Sequence, residues 1–269
     1  MMAAVGFDDF FMLSPDRKAF LEAAQSGATL IPVACSWPAD LETPLTTWLK
    51  VGDQRPPGVL LESVEGGETL GRWSVVACDP LWTLAARRDG LERTWRDGHR
   101  ETFSGNPFDC LRSCLEPYRP ATLPGLPPLG QLYGMWGYEL IRWIEPSVPV
   151  HPAIADGPPD GLWMLMDSIL IFDQVKRLIT AVAYGDLSGQ HTAAVSAEEA
   201  WEGAISRINA LRERMAAPLP PVRPLNWRPD RGATPTTTSN RTREDFHRAV
   251  NQARDHIAAG DAFQLVVSQ

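Results

Sequence analysis

The sequence predicts an α+β fold in which antiparallel sheets pack on each other and helices lie outside. Three observations predict it. Asp-Gly pairs at 89–90 and 97–98 each sit between short alternating runs, and Asp-Gly tolerates the positive φ of tight hairpin turns. The strand-like runs lack the regular strand–helix–strand alternation of a parallel sheet. Over 193–217 the apolar residues Ala197, Trp201, Ala204, Ile205, Ile208, Leu211 and Met215 trace one helical stripe, as an amphipathic helix packed on a sheet does.

The elements follow in order. Ser14 before "PDRKAFLEAA" predicts an N-cap, Pro15 at the first helical position and a short helix. "TLIPVACSWPA" reads as a strand, and "TPLTTWLKVG" as a helix capped by Thr43 with Pro44 at its first position. "VLLESVEGGETLGRWSVVACDP", Val59 to Pro80, has two apolar runs flanking Gly66 and Gly67, so it predicts strand–turn–strand. An antiparallel meander through the two Asp-Gly pairs comes next. "NPFDCLRSCLEPY" then supplies Asn106 as cap, Pro107 at the first position, and apolar Phe108, Leu111, Cys114 and Leu115 at helical spacing.

"GQLYGMWGYELIRWIEP" predicts a strand, glycines at 134 and 137, and a short helix ending before Pro146. Five prolines in 146–161 predict an irregular loop. "LWMLMDSILIFDQVKRLITAVAYG" reads as two strands with a turn near Asp173–Lys176. Residues 218–240 are rich in Pro, Thr and Arg, without periodicity, and read as a linker. Thr242 then caps a helix whose buried face is Phe246, Ala249, Val250, Ala253 and Ile257. Gly260 ends it, and "AFQLVVSQ" is expected to be a buried strand. A helix and one strand cannot bury their own faces, so a truncated chain is expected.

Composition narrows the function. Hydrophobic residues make up 44% and charged residues 22% of the 269, a globular balance. The net charge of -8 argues against non-specific binding to nucleic acid or anionic lipid. Acids stand at the N-terminus where a signal peptide needs a basic region, and the longest uncharged apolar run is too short to span a membrane. A cytoplasmic location is expected. Cys35, Cys78, Cys110 and Cys114 are expected to be buried thiols. Cys110 and Cys114 are four residues apart, but no further Cys or His nearby completes a zinc site. The five histidines are scattered, and no phosphate-binding glycine loop, His-Glu-x-x-His or Gly-x-Ser-x-Gly occurs.

The stretch from Val59 to Pro80 stands apart. Glu62 and Ser63 sit where one strand ends and Arg72 where the next begins. A carboxylate beside a hydroxyl can accept from an ammonium group, and a guanidinium can pair with a carboxylate. Together they could hold both ends of a free amino acid. The competing reading is a solvated hairpin.

"LLESVEGGETLGRWSVVACDP", "NPFDCLRSCLEPY", "YGMWGYELIRWIE" and "FHRAVNQARDHIAAGDAFQLVVSQ", in this order and spacing, resemble anthranilate synthase component I, the chorismate-using subunit of tryptophan biosynthesis. Its sister, aminodeoxychorismate synthase component I, shares the fold and much of the pattern. The resemblance implies an α+β fold of packed antiparallel sheets. It implies a lyase that uses Mg²⁺, adds ammonia to chorismate and eliminates pyruvate to give anthranilate. The ammonia comes from a glutamine amidotransferase component II. L-tryptophan is implied as feedback inhibitor, with Glu62 and Ser63 holding its amino group and Arg72 near the same ligand.

The family's magnesium ligands, acid–base residues and most of the chorismate pocket lie in its second half. No catalytic residue or metal ligand is therefore assigned here. Gln264 and Gln269 enter the first strand of that half, where a ladder position beside the pocket is expected and a role in the pocket is the alternative. The implied division is an N-terminal regulatory domain over 1–217, a linker over 218–240 and the start of a chorismate-binding domain over 241–269. The chain alone is expected to be inactive. A stand-alone tryptophan-binding module, or a fragment of the sister enzyme, is the alternative. Tryptophan binding by this chain is expected to be weak or absent, because the family completes the pocket from its second half.

Overall fold

A computed structural model of the chain describes residues 13–52, 57–62, 71–88, 90–122, 130–148, 157–190, 195–221 and 238–269. The chain forms two compact units, Met1–Pro221 and Val222–Gln269.

The first unit is built on two antiparallel sheets. The six-stranded sheet contains β1 (Leu13–Ser14), β2 (Leu30–Pro38), β3 (Gly58–Leu61), β4 (Trp73–Cys78), β10 (Ser168–Asp173) and β11 (Leu178–Asp186), in the order β1-β2-β11-β10-β4-β3. The five-stranded sheet contains β5 (Trp82–Arg87), β6 (Gly90–Trp95), β7 (Arg100–Phe103), β8 (Leu132–Trp136) and β9 (Gly161–Leu165), in the order β7-β6-β5-β9-β8. β3 and β8 are thus edge strands of different sheets.

Helices α1 (Arg17–Gln25), α2 (Pro44–Val51) and α5 (Ala197–Ala216) cover one face of the larger sheet. Phe20, Val51, Trp201, Ala204 and Ile208 meet Ile31, Val33, Val76, Leu170 and Ile179 there. A second core joins Ala34, Val75, Ile171 and Val182 of the larger sheet to Trp82, Leu84, Trp95 and Trp163 of the smaller one, with Leu111 and Cys114 of α3 (Pro107–Leu115). This gives the predicted α+β class.

Local signals place the helices well. Thr43 forms a capping box with Thr46 on α2, and Asn106 caps α3 by accepting from the Phe108 N–H at 2.9 Å. A 3-10 turn over Tyr138–Leu140 leads into α4 (Ile141–Ile144), which ends before Pro146. The Val59–Pro80 stretch supplies neighbouring antiparallel strands, with Leu61 opposite Val75. Gly66 and Gly67 lie outside the described residues. Gly98 takes φ 91° in the β6–β7 turn, as the Asp-Gly signal requires.

Five expectations are corrected. Asp16, not Ser14, caps α1, accepting from the Ala19 N–H at 2.8 Å; Ser14 instead pairs with Ala34 in β1. The run from Leu162 to Gly185 holds three strands rather than two, because the chain passes between sheets at Met166–Asp167. In the second unit, α6 (Arg243–Ala259) is capped by Thr242 and ended by Gly260 at φ 83°, yet none of its residues is fully buried. Phe246, Ala249, Val250 and Ala253 are half-buried and Ile257 is exposed. Residues 262–269 form no strand, and Phe263 and Val266 are 95% and 83% exposed. Among the described residues no strand of that unit offers them a ladder, and a lone strand leaves its backbone groups unpaired. The ladder expected for Gln264 and Gln269 is therefore absent. Lastly, Cys110 is half-buried, while Cys35, Cys78 and Cys114 are buried.

Candidate functional site

A cleft of about 300 Å³ opens between the edge strands of the two sheets. Val59 and Leu61 of β3 form one wall. Leu132, Tyr133, Gly134 and Trp136 of β8, with Trp163 of β9, form the other. The volume falls at the lower end of small-ligand sites.

The sequence makes room for this wall with glycine. A Cβ on Gly134 would run into the Leu162 carbonyl and the Trp163 backbone, and one on Gly161 would stand 2.6 Å from the Trp163 ring. Two missing side chains therefore let β8 close on β9 while the Trp163 indole lies across the strands. Trp136 continues the aromatic surface outward. It stacks on Phe108 at 5.0 Å and 15°, and meets Trp163 edge-on at 5.1 Å and 75°. Both geometries suit aromatic quadrupoles. Trp136 stays 55% exposed and Leu61 49%, so the mouth is apolar and open.

Two polar atoms of this wall are buried without a hydrogen-bond partner among the described residues: the Tyr133 hydroxyl and the Trp163 indole N–H. Burial pushes the Tyr133 hydroxyl up to about 12, so it is neutral near pH 7. An unmatched buried donor costs free energy, and both atoms lie beneath the cleft surface rather than on it.

Glu62 follows the last residue of β3 and is exposed. It lies just past the strand that forms one wall of the cleft and is not among the residues that line it. Ser63 lies outside the described residues. Arg72 precedes β4. Its Nε donates to Asp173 Oδ1 at 3.0 Å and its Nη2 to Oδ2 at 2.6 Å, while the guanidinium lies 4.5 Å from the Trp73 ring. Asp173 also accepts from the Val175 and Lys176 N–H groups. These bonds, the Arg72 one foremost, hold its carboxyl below the usual carboxylate range. At least two Arg72 donors are therefore committed to joining β4 and β10.

A second cavity, about 200 Å³, is bordered by Asp167, Asp186, Glu199 and Arg207. Its carboxylates are already engaged. Arg96 holds Asp167 with two 2.9 Å bonds, Asp186 accepts from the Ser188 N–H, and Glu199 accepts from Ser196 in a capping box. The edge-strand cleft, with its aromatic wall and open apolar mouth, is the better candidate. No cluster of three or more His, Cys, Asp or Glu able to hold a metal occurs among the described residues. They do not fit a magnesium site. Among these residues no helix is long and apolar enough to cross a membrane.

Sequence reasoning missed Tyr133, Trp136 and Trp163. A signal was present in "LYGMWG" and "GLWMLM", where glycines stand beside large aromatics in strand-like runs.

Residues 74–269 match the family described as chorismate binding enzyme. Anthranilate synthase component 1 of Synechocystis sp. is 48% identical over 263 residues, covering 96% of this chain and 51% of that protein. The protein of the same description from Pseudomonas putida is 34% identical over 263 residues, covering 94% of this chain and 50% of its own. The chain spans about half the length of these curated relatives. The crystal structure of anthranilate synthase component I from Streptococcus pneumoniae TIGR4 matches with a TM-score of 0.50 at 22% identity, over 84% of this chain and 46% of that one, a likeness of fold.

Proposed function

The chain belongs to the chorismate-binding enzyme family, and from that premise we propose that it is the N-terminal part of an anthranilate synthase component I. The observation that carries this reading is the 48% identity, over 96% of the chain, to the Synechocystis protein so described. The whole enzyme would be a lyase converting chorismate and ammonia into anthranilate and pyruvate in tryptophan biosynthesis, in the cytoplasm. A glutamine amidotransferase component II would deliver the ammonia. Mg²⁺ would serve the whole enzyme through residues other than those described.

This chain supplies the effector side of that enzyme, and the edge-strand cleft is where feedback inhibition by L-tryptophan begins. Apolar walls remove the indole from water, at roughly 25 cal/mol per Å² of apolar surface buried. Glu62 and Ser63 receive the ammonium end. Ring burial supplies most of the affinity, because an exposed ion pair contributes little in water. The charged end supplies selectivity for an amino acid over bare indole. Arg72 is assigned near the same ligand from the start of β4, the strand that pairs with β3, while Asp173 of β10 fixes its guanidinium.

Calorimetry on the chain with L-tryptophan tests the reading, with Glu62→Ala, Ser63→Ala as control. Weak saturable heat, lost in the double variant, is expected. Heat that survives the double substitution refutes the assignment of those two residues. The same sample given chorismate, Mg²⁺ and ammonia should show no anthranilate fluorescence above blank.

A further inference from the structure

We propose that Trp136 selects the ligand of the cleft, admitting a planar aromatic side chain by stacking and disfavouring an aliphatic one. The inference rests on the effector reading and names the residue that would give it ring selectivity.

Two features of the wall point to Trp136. Phe108 already stacks on the Trp136 ring, at 5.0 Å and 15°, and Trp163 holds it edge-on. The ring is thus fixed from two directions, although Trp136 is 55% exposed. A fixed aromatic surface loses little freedom when a ligand packs on it. Trp136 also lines the cleft on the side across from Leu61, which is 49% exposed, so a flat ring entering there has Leu61 and Trp136 as its two walls.

An aliphatic side chain could fill the same volume. It would gain area burial but not the added attraction between offset or edge-on rings. That addition, about 0.5–1.5 kcal/mol, corresponds to roughly two- to tenfold in affinity. Trp136→Leu keeps an apolar wall and deletes the ring, so it isolates this contribution. Trp136→Phe restores a smaller ring in the same place.

The test is ligand-detected saturation-transfer NMR on the full chain, titrating L-tryptophan and, separately, L-leucine. Wild type should show saturable transfer to the indole protons, and to leucine only with an affinity about two- to tenfold weaker. Trp136→Leu should weaken L-tryptophan binding up to about tenfold, and Trp136→Phe should recover most of it. Leu61→Gln, on the opposite wall, should weaken it too and serves as a second probe if Trp136→Leu does not fold. Leu41→Ser, at a residue 95% exposed, should change nothing. Tryptophan affinity unchanged in Trp136→Leu but lost in Glu62→Ala, Ser63→Ala would overturn the selector role alone. Absence of saturable transfer in wild type would overturn the effector reading and the selector role together.

Discussion

Arg72 shows how one side chain can be read two ways. On paper a guanidinium between an apolar run and a glycine turn invites a ligand carboxylate. In the fold a protein carboxylate, Asp173, answers it with two bonds. That pairing was not legible in the sequence, because the partners stand far apart in the chain and meet only once β10 pairs with β4. It carries a pH signature. Asp173 is held below the usual carboxylate range, chiefly by Arg72. A depressed folded-state value contributes stability that is fully present above the unfolded value, about 3.9, and lost as pH falls through the folded value. Asp173→Asn should therefore flatten the acid limb of a stability-versus-pH curve below about pH 4 and cost about 1–3 kcal/mol at pH 7. Chemical denaturation across that range, read by circular dichroism, checks both. An unchanged acid limb would mean that the pair carries no linkage.

At the scale of elements, the chain's two direct passes between sheets decide the architecture. It leaves the larger sheet after Cys78 and enters the smaller at Trp82, then returns between Leu165 and Ser168. Arg96 binds both passes. It holds Asp167 through both carboxylate oxygens, and reaches the Pro80 carbonyl at 3.2 Å and the Asp79 carbonyl. Asp79 itself takes φ 62°, in the left-handed region. Arg207 of α5 comes within 3.7 Å of Asp167 and donates to the Tyr184 carbonyl at 2.6 Å, adding the helical layer to the same knot.

Asp167 is only 8% exposed, so losing its main partner is costly. Arg96→Ala should lower unfolding free energy by about 2–3 kcal/mol. Arg112→Ala, which removes a well-exposed pair with Asp109, should cost under about 0.5 kcal/mol. Thermal melts of the two variants side by side check this, and equal losses would contradict it. Most helix caps were legible because a cap needs only its own turn: Thr43, Asn106 and Thr242 behave as their neighbours dictate, whereas at α1 the cap is Asp16 rather than Ser14. The extra strand, and the edge positions of β3 and β8, were not. They depend on pairings across the fold, such as Leu61 with Val75 and Gly134 with Trp163.

On the scale of the whole molecule, composition and Asp-Gly punctuation were enough for the α+β class. The cleft was not legible. Glu62 stood out as a carboxylate at a strand end but does not line it, and Tyr133, Trp136 and Trp163 stood only within strand-like runs until two edge strands faced each other. The second unit failed for a physical reason. An apolar run such as "AFQLVV" marks a strand only where a partner strand supplies the ladder, and none does so among the described residues of that unit. The central claim is that L-tryptophan is received between β3 and β8. Hydrogen exchange of the full chain, with and without L-tryptophan, tests it most directly. Slowed exchange in peptides spanning 58–62 and 131–137, with no change over α5 or 243–269, is the predicted result. Protection confined to α5 or to 243–269, or none anywhere, would contradict it.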